Sequence, residues 1–212
     1  MNGLTPIKKV KDEIRREYAA KRDALTPEIR AQRSAKICNT AMNLISFRHA
    51  EIVLLYAPIK SEIDVIPLAL AALEKGKAVA FPRCNKEDRT MKFHFVTSLD
   101  ELEVGAYNIM EPKEDAPVYD PLTDTRVAIC YVPGLTFDVY GYRLGYGKGY
   151  YDKFMNQFGG CTIGLTYSDL IVKELPKGRY DRHCDILLTE NGAKAIKLEK
   201  VSRELNKNKF KA

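Results

Sequence analysis

The sequence has few of the residues from which metal sites and nucleophile sites are usually built. Its 212 residues include three histidines and five cysteines, and the cysteines form no C-x-x-C pair. A zinc site needs a second His/Cys cluster besides the run His183-Cys184-Asp185, and a hydrolase triad needs a histidine set beside a nucleophile. The sequence offers neither, so both classes are poorly supported. The odd cysteine count favours free thiols in a reducing cytoplasm.

Long apolar runs are missing as well. No run approaches the roughly 18 residues that a membrane-spanning helix needs, and the polar, charged segment after Ile7 predicts no secretory signal. We therefore expect a cytoplasmic protein without a membrane partner. The net charge is +6, but the basic residues are dispersed and form no long block interleaved with aromatics. We expect no nucleic-acid partner, whereas a polyanionic small molecule suits this charge.

The order of the apolar segments predicts an α/β fold. Residues 8–23 and 26–47 have the pattern of basic helices, and Thr26 is a suitable N-cap for the second. Short apolar runs follow, and runs that are apolar on both faces favour a mostly parallel sheet covered by helices. A further helix is expected at 65–74 and a last one from near Asn191. Strands are expected at 51–56, 77–81 (ended by Pro82), 91–96, 126–132, 161–167 and 185–189.

The length suits one domain, and we expect 1–212 to be that single domain. Residues 1–48 would form the helical pair, 49–206 the α/β core and 207–212 a tail. Residues 97–125, which are rich in turns, should make a long excursion over the surface. Ligands of such sheets bind beyond the carboxyl ends of the strands, so loops at that edge should form the site. The segments concerned are 57–64, 133–149 and the one that leads into 185.

The stretch 132–154 has the organisation of a phosphate-binding loop. A strand leads into a glycine-rich loop and then into a helix, and this order lets backbone N–H groups and the helix N-terminus approach an anion. Arg143 and Lys148 add cations, and Asp152 adds a carboxylate suited to Mg²⁺. The spacing matches neither a P-loop nor G-x-G-x-x-G, and an ordinary turn is the alternative. The glycines are Gly141, Gly145, Gly147 and Gly149, and the segment 141–149 that contains them is called the glycine loop.

Four side chains elsewhere are candidates for the same site. Lys11 and Arg15 share one helix face, where they would clamp a phosphate or form a solvated basic face. Glu62 follows a strand, where it would accept hydrogen bonds from an amino-pterin or ribose, or lie exposed in its loop. Asp185 begins a strand, which is unusual for aspartate. This position suggests metal ligation together with Asp152, and a turn carboxylate is the alternative.

Together these residues resemble the 5-formyltetrahydrofolate cyclo-ligase family, also called 5,10-methenyltetrahydrofolate synthetase. The run 133–152, PGLTFDVYGYRLGYGKGYYD, is similar to the glycine-rich ATP motif of that family. The pair Lys11 and Arg15 resembles its N-terminal ATP contact. The loop 61–64 resembles its folate-contacting loop, and Asp185 resembles its second metal-site carboxylate.

The resemblance covers about 8–190 and implies a Rossmann-like fold of the sugar-phosphate isomerase/CoA-transferase type, with the helical pair packed on or over the ATP site. It implies ATP- and Mg²⁺-dependent closure of 5-formyltetrahydrofolate, with or without additional glutamates, to 5,10-methenyltetrahydrofolate. Arg143 and Lys148 would be catalytic, and Asp152 and Asp185 would hold Mg²⁺. The implied ATP contacts are Lys11, Arg15, Arg143, Leu144, Gly145, Tyr146, Gly147, Lys148, Gly149, Tyr150 and Tyr151. The implied folate contacts are Ala57, Glu62, Tyr146, Gly147, Lys148, Gly149 and Tyr150.

Two other hypotheses stay open from the residues alone. The same loop would serve a sugar-phosphate isomerase-like enzyme that binds a phosphate without ATP. The two basic helices would serve a nucleic-acid-binding protein. The pair Lys11 and Arg15, together with the two aspartates, argues against the first, and the dispersed charge argues against the second.

Overall fold

A computed structural model describes residues 7–196, and an eight-stranded sheet is its central layer. The helices are α1 (Ile7–Asp23), α2 (Pro27–Asn43), α3 (Ile45–His49), α4 (Ile66–Glu74) and α5 (Tyr150–Met155). The strands are β1 (Ile52–Leu54), β2 (Ala78–Asn85), β3 (Thr90–Val96), β4 (Leu102–Val104), β5 (Met110–Pro112), β6 (Val118–Tyr119), β7 (Ala128–Val132), β8 (Thr136–Asp138), β9 (Arg143–Leu144), β10 (Cys161–Leu165), β11 (Ile171–Val172), β12 (Ile186–Thr189) and β13 (Gly192–Ala195). The predicted tail 207–212 and the end of the predicted core lie outside the described residues.

The central sheet has the order β13-β12-β10-β7-β1-β2-β3-β6. The five strands from β12 to β2 are parallel, and β13, β3 and β6 add antiparallel edges. The predicted α/β fold with a mostly parallel sheet is therefore confirmed. All residues of β1 and β7 are buried, as expected for central parallel strands covered on both faces.

The two faces of the sheet carry separate hydrophobic clusters, because successive strand side chains alternate in direction. Val53 and Leu55 pack with residues of α2 and α4 on one face. Ile52 and Leu54 pack on the other face with Phe154 and neighbouring residues of α5. The chain thus forms three layers, and the five cysteines are free thiols, as predicted. Within residues 7–196, none of the helices has both the length and the apolar character to cross a membrane.

Two sequence predictions at strand ends are wrong. Pro82 does not end β2, which continues to Asn85 and pairs through Pro82 with Phe93 of β3. β1 ends opposite Ala80 and does not extend alongside Pro82. No residue of β1 therefore needs a hydrogen bond from the N–H group that proline lacks. The predicted helix near Asn191 is instead β13, which pairs antiparallel with β12 after a tight turn.

Two predicted segments are interrupted. The second helix breaks at Leu44, whose extended backbone (φ −63°, ψ 141°) separates α2 from α3. The predicted passage from strand through glycine loop to helix contains the hairpin β8–β9, which forms a small sheet with β11. The N–H of Leu135 donates to the carbonyl oxygen of Leu144 at the base of this hairpin (2.8 Å). The chain is thereby turned back, and the glycine loop lies near the carboxyl ends of β1 and β7.

Candidate active site

A cavity of about 360 Å³ lies beyond the carboxyl ends of β1, β2 and β7. This volume is within the usual range for a small-molecule site. Its walls come from α1, the loop after β1, the end of β2, the excursion around β4–β5, and the run 143–152. The predicted convergence of 57–64 and 133–149 is therefore present in the structure. The segment that leads into 185 contributes Asp181 but not Asp185 to these walls.

The cavity brings together the residues that the resemblance implied, with Asp185 as the exception. Those that line it are Lys11, Arg15, Ala57, Glu62, Arg143, Leu144, Gly145, Tyr146, Gly147, Lys148, Gly149, Tyr150, Tyr151 and Asp152.

The glycine loop bends through left-handed backbone that only glycine adopts readily. Gly147 has φ 87° and Gly149 has φ 77°. A Cβ atom at Gly147 would lie 3.0 Å from the guanidinium carbon of Arg15. Arg15 in turn donates from Nε to the carbonyl oxygen of Gly145 at 2.9 Å. The loop is thus packed directly against α1. The helix that follows is only six residues long, so its dipole is weaker than the sequence suggested.

Three basic residues of α1, Lys11, Arg15 and Arg22, turn inward to the protein. Lys11 and Arg15 line the cavity, and Arg22 is the buried residue of this helix (3% exposed). Lys11 forms an ion pair with Asp181. Because these side chains face protein, the alternative of a solvated basic face does not hold for this face of α1, and the basis for nucleic-acid binding is correspondingly weaker.

The buried Arg143 neutralises Asp152. Its Nη2 lies 3.1 Å from an oxygen of Asp152, and its side chain is 6% exposed. Its guanidinium carbon lies 5.2 Å from the centre of the Tyr151 ring. Within the described part of the chain, the Nε of Arg143 has no hydrogen-bond partner. Arg143 therefore contacts Asp152 and Tyr151 from the interior of the protein. Lys148 is exposed and places its charge at the opening of the cavity.

Asp185 does not join Asp152 at the cavity. Its Oδ2 accepts hydrogen bonds from the N–H (2.8 Å) and the hydroxyl (2.6 Å) of Thr162. The reason is the strand register: β12 runs parallel to β10, so its first residues lie at the amino end of the sheet, away from the carboxyl-end loops. The structure therefore does not support the predicted metal pair Asp152 and Asp185.

Asp181, and not Asp185, is the second aspartate that lines the cavity. It lines the same cavity as Asp152, and the N–H of the next residue, Arg182, donates to Asp152 Oδ1 at 3.3 Å. Sequence reasoning missed Asp181 because it lies in a polar loop rather than at a strand boundary. Within residues 7–196, no three His, Cys, Asp or Glu side chains cluster in a way suited to a metal ion.

Glu62 is a buried carboxylate at the inner end of the cavity, with 7% of its side chain exposed. Its Oε2 accepts a hydrogen bond from the N–H of Ile59 at 3.1 Å. Burial raises the pKa of Glu62 from 4.5 to about 7, although nearby Arg22 and the bond from Ile59 act in the opposite direction. A carboxylate with this pKa exchanges a proton near neutral pH. The alternative of an exposed loop glutamate is excluded.

Glu111 is a second buried carboxylate on the cavity wall, and sequence reasoning missed it. It is 2% exposed and accepts hydrogen bonds from the N–H groups of Cys84 and Ala106, both at 3.1 Å. The bond from Cys84 ties the excursion 97–125 to β2, and the bond from Ala106 lies within the excursion. Tyr107, in the same excursion, approaches the hydroxyl of Tyr150 at 3.0 Å. The predicted surface excursion therefore also forms one wall of the cavity.

A larger cavity of about 1220 Å³ adjoins the first. The two share the lining residues Met91, Gly149, Asp152 and Asp181. The outer walls of the larger cavity carry basic side chains, namely Lys92, Lys153, Arg179 and Arg182. The glycine loop and the two aspartates thus stand at the boundary between two spaces, either of which can accommodate a small-molecule ligand.

The fold and the site define an α/β protein with a cationic, glycine-lined cavity at the carboxyl edge of its sheet. The sequence model of the 5-formyltetrahydrofolate cyclo-ligase family matches residues 7–190. The chain therefore belongs to the 5-formyltetrahydrofolate cyclo-ligase family, and it is an enzyme of the ligase class.

Known relatives agree with this assignment. The mouse 5-formyltetrahydrofolate cyclo-ligase is 23% identical over 87% of this chain and 96% of its own length. The Escherichia coli K12 protein of the same name is 28% identical over 76% of this chain and 90% of its own length. The NMR structure of Aquifex aeolicus 5,10-methenyltetrahydrofolate synthetase is 34% identical and superposes with a TM-score of 0.78, covering 89% of this chain and 93% of that chain.

Proposed function

We propose that this chain catalyses the ATP-dependent cyclisation of 5-formyltetrahydrofolate to 5,10-methenyltetrahydrofolate, with release of ADP and phosphate. The names of the mouse and bacterial relatives support this activity. The observation that carries the proposal within this chain is the pair of adjoining cavities that meet at Asp152 and Asp181. A reaction between two large substrates needs two spaces with a common boundary at which their reacting groups meet.

The proposed chemistry explains why the site is rich in charge and lacks a nucleophile. A formamide oxygen is a poor leaving group, so the γ-phosphoryl group of ATP is transferred to it, the bond to the β-phosphate breaks, and ADP leaves. N10 then attacks the formyl carbon and loses its proton, and the C–O bond breaks to release phosphate. Phosphoryl transfer depends mainly on positioning and charge neutralisation, and no covalent bond to the protein is required.

The cavity supplies groups of the required kinds. We assign the phosphates of ATP to the backbone of 145–149, which reaches the boundary of the two cavities at Gly149, where an added Cβ atom would have no neighbour within 4 Å. Lys11 and Arg15 would neutralise these phosphates from α1, and the exposed Lys148 would contact the phosphoryl group during transfer. The folate would occupy the side of the cavity that contains Ala57 and Glu62. There the Glu62 carboxylate would accept hydrogen bonds from N–H groups of the pterin. Additional glutamates on the folate tail are compatible with the net charge of +6.

The residues also fit a Mg²⁺ ion that takes part of its coordination from the phosphates of the substrate. Mg²⁺ is usually held by one or two carboxylates together with phosphates and water rather than by a cage of protein ligands. Asp152 and Asp181 border both cavities. We propose that these two carboxylates hold the ion. When bound, Mg²⁺ would neutralise charge on the phosphates during transfer.

Formation of the methenyl product tests this proposal. Purified protein is incubated with 5-formyltetrahydrofolate, ATP and Mg²⁺, and the near-ultraviolet absorbance of 5,10-methenyltetrahydrofolate is followed. We expect a signal that needs ATP. Calorimetry with ATP alone separates this function from an isomerase-like enzyme, which would show no ATP binding.

A matched pair of exposed lysines tests the proposed role of the glycine loop. Lys148→Ala should reduce turnover by about 100-fold, the usual effect of removing a group that stabilises developing charge. Lys36→Ala, on the exposed face of α2, should leave turnover within about twofold of the wild type, as is usual for surface positions. Equal turnover in the two variants would remove Lys148 from the mechanism.

A further inference from the structure

Arg22 is a buried cation that joins four segments of the chain at the inner end of the cavity. Its Nε donates to the hydroxyl of Ser61 at 3.0 Å, its Nη1 to the carbonyl of Gly134 at 3.1 Å, and its Nη2 to the hydroxyl of Tyr146 at 2.7 Å. These partners lie in the loop after β1, the loop after β7 and the glycine loop. The guanidinium of α1 is thus the common anchor of the loops that form the site.

Among the described contacts of Arg22, none is a direct hydrogen bond to a carboxylate. The Nη1 of Arg22 lies 4.0 Å from Oε1 of Glu62, and the two side chains are 4% and 7% exposed. Asp23 reaches the guanidinium only through the hydroxyl of Ser61. A buried charge needs a compensating charge, so ionisation of Glu62 stabilises Arg22, and the charge of Arg22 stabilises ionised Glu62.

We propose that Arg22 is a positioning residue that favours the ionised form of Glu62 and ties its loop to Tyr146 of the glycine loop. This inference deepens the proposed function, on which the catalytic part of it rests. Without Arg22, only the hydrogen bond from Ile59 and the exposed Lys60 would oppose the effect of burial on Glu62. A larger fraction of the side chain that should accept hydrogen bonds from the folate would then be protonated.

Several charged or titratable groups face Glu62, and Arg22 is the buried cation among them. The others are Tyr56 at the end of β1, Lys60 in the same loop, Tyr146 in the glycine loop and Tyr151 in α5. Lys60 is exposed, so solvent screens its charge. The three tyrosines have pKa values raised by burial, and they are therefore neutral in the range where Glu62 titrates.

The direct test is an NMR titration of the Glu62 carboxyl carbon in protein labelled with ¹³C-glutamate, with the resonance assigned by Glu62→Gln. In Arg22→Met the midpoint should rise by about one pH unit or more, the usual effect of losing an adjacent opposite charge. Arg22→Lys, which keeps the charge but not the three hydrogen bonds, should hold the midpoint nearer to that of the wild type. Lys60→Met removes an exposed charge and should shift the midpoint less than Arg22→Met does.

The pH profile of kcat/KM gives a second readout. Its acid limb should move upward in Arg22→Met by the same interval as the NMR midpoint. For a rise of one pH unit from about 7, activity should fall about tenfold at pH 6 and about twofold at pH 8. If Arg22→Met does not fold, Arg22→Gln removes the charge with less loss of hydrogen bonding and serves the same purpose. An unchanged Glu62 midpoint in a folded, charge-free variant overturns the proposal. If the wild type forms no methenyl product, the proposed function fails, while the titration still decides whether Arg22 controls Glu62.

Discussion

The buried carboxylate of Glu62 should make the stability of this protein depend on pH in a predictable direction. Its pKa is raised by burial from 4.5 to about 7. An acid whose pKa is higher in the folded protein binds its proton more tightly there than in the unfolded chain. Its stabilising effect is therefore complete below pH 4.5 and is lost as the pH rises through 7.

The size of this effect follows from the difference of about 2.5 pH units between the two states. At about 1.4 kcal/mol per unit, the free energy of unfolding should fall by about 3 kcal/mol between pH 4.5 and pH 8 because of this group. Glu62→Gln has nearly the same shape as the protonated side chain but does not titrate. The variant should therefore match the wild type near pH 4.5 and exceed its stability by about 3 kcal/mol at pH 8.

Urea unfolding of both proteins across this pH range measures the difference directly, and the effects of all other titrating groups cancel in the comparison. Glu114→Gln is a suitable control because the Glu114 side chain is 90% exposed. Its difference from the wild type should be small and independent of pH. A constant difference between the wild type and Glu62→Gln from pH 4.5 to 8 would refute the conclusion that the Glu62 carboxylate is buried.

Two further predictions concern the glycine loop and the aspartates. Gly147→Ala should destabilise the fold by about 1–2 kcal/mol, the usual penalty of left-handed backbone for a non-glycine residue, and should raise the KM for ATP, because its Cβ would displace Arg15; an unchanged melting temperature and KM would contradict this. Asp181→Ala should raise the Mg²⁺ concentration needed for half-maximal turnover. Asp185→Ala should leave that concentration unchanged but lower the free energy of unfolding by about 1–3 kcal/mol, because it removes two hydrogen bonds to Thr162. The opposite pattern in these two variants would indicate that Asp185, and not Asp181, binds the metal ion.

The sheet could be predicted from the sequence because its central strands are short, continuous apolar runs. β1 and β7 are buried along their whole length, and no other common architecture places such runs between helices. The strand through Pro82 was not predictable in the same way. Whether proline ends a strand depends on how far the neighbouring strand extends, and that is a property of the assembled sheet.

The cavity was predicted in large part because its residues are concentrated in one motif. The run 143–152 contributes ten of the residues that line the cavity, and its local spacing already indicates their chemistry. Arg22 and Asp181 have no such signature. Arg22 is one of several basic residues on α1. It is distinguished by bonds to residues distant in the chain, namely Ser61, Gly134 and Tyr146, and the last two lie more than 100 residues away.

The placement of Asp185 shows the limit of reasoning from position along a strand. An aspartate at the start of a strand is unusual, and this position suggested metal ligation together with Asp152, but Asp185 accepts hydrogen bonds from a neighbouring strand instead. The donor residue is Thr162, because the parallel register of β10 and β12 sets the first residues of both strands side by side at the amino end. Register between strands distant in sequence decides such contacts, and a single sequence does not specify it.

The measurement that bears most directly on the proposed function is the near-ultraviolet absorbance of 5,10-methenyltetrahydrofolate formed from 5-formyltetrahydrofolate by the purified protein. The signal should appear with ATP and Mg²⁺ and be absent when ATP is omitted, with one ADP released for each methenyl group formed. Absence of an ATP-dependent signal, under conditions in which the Escherichia coli relative is active, would contradict the account.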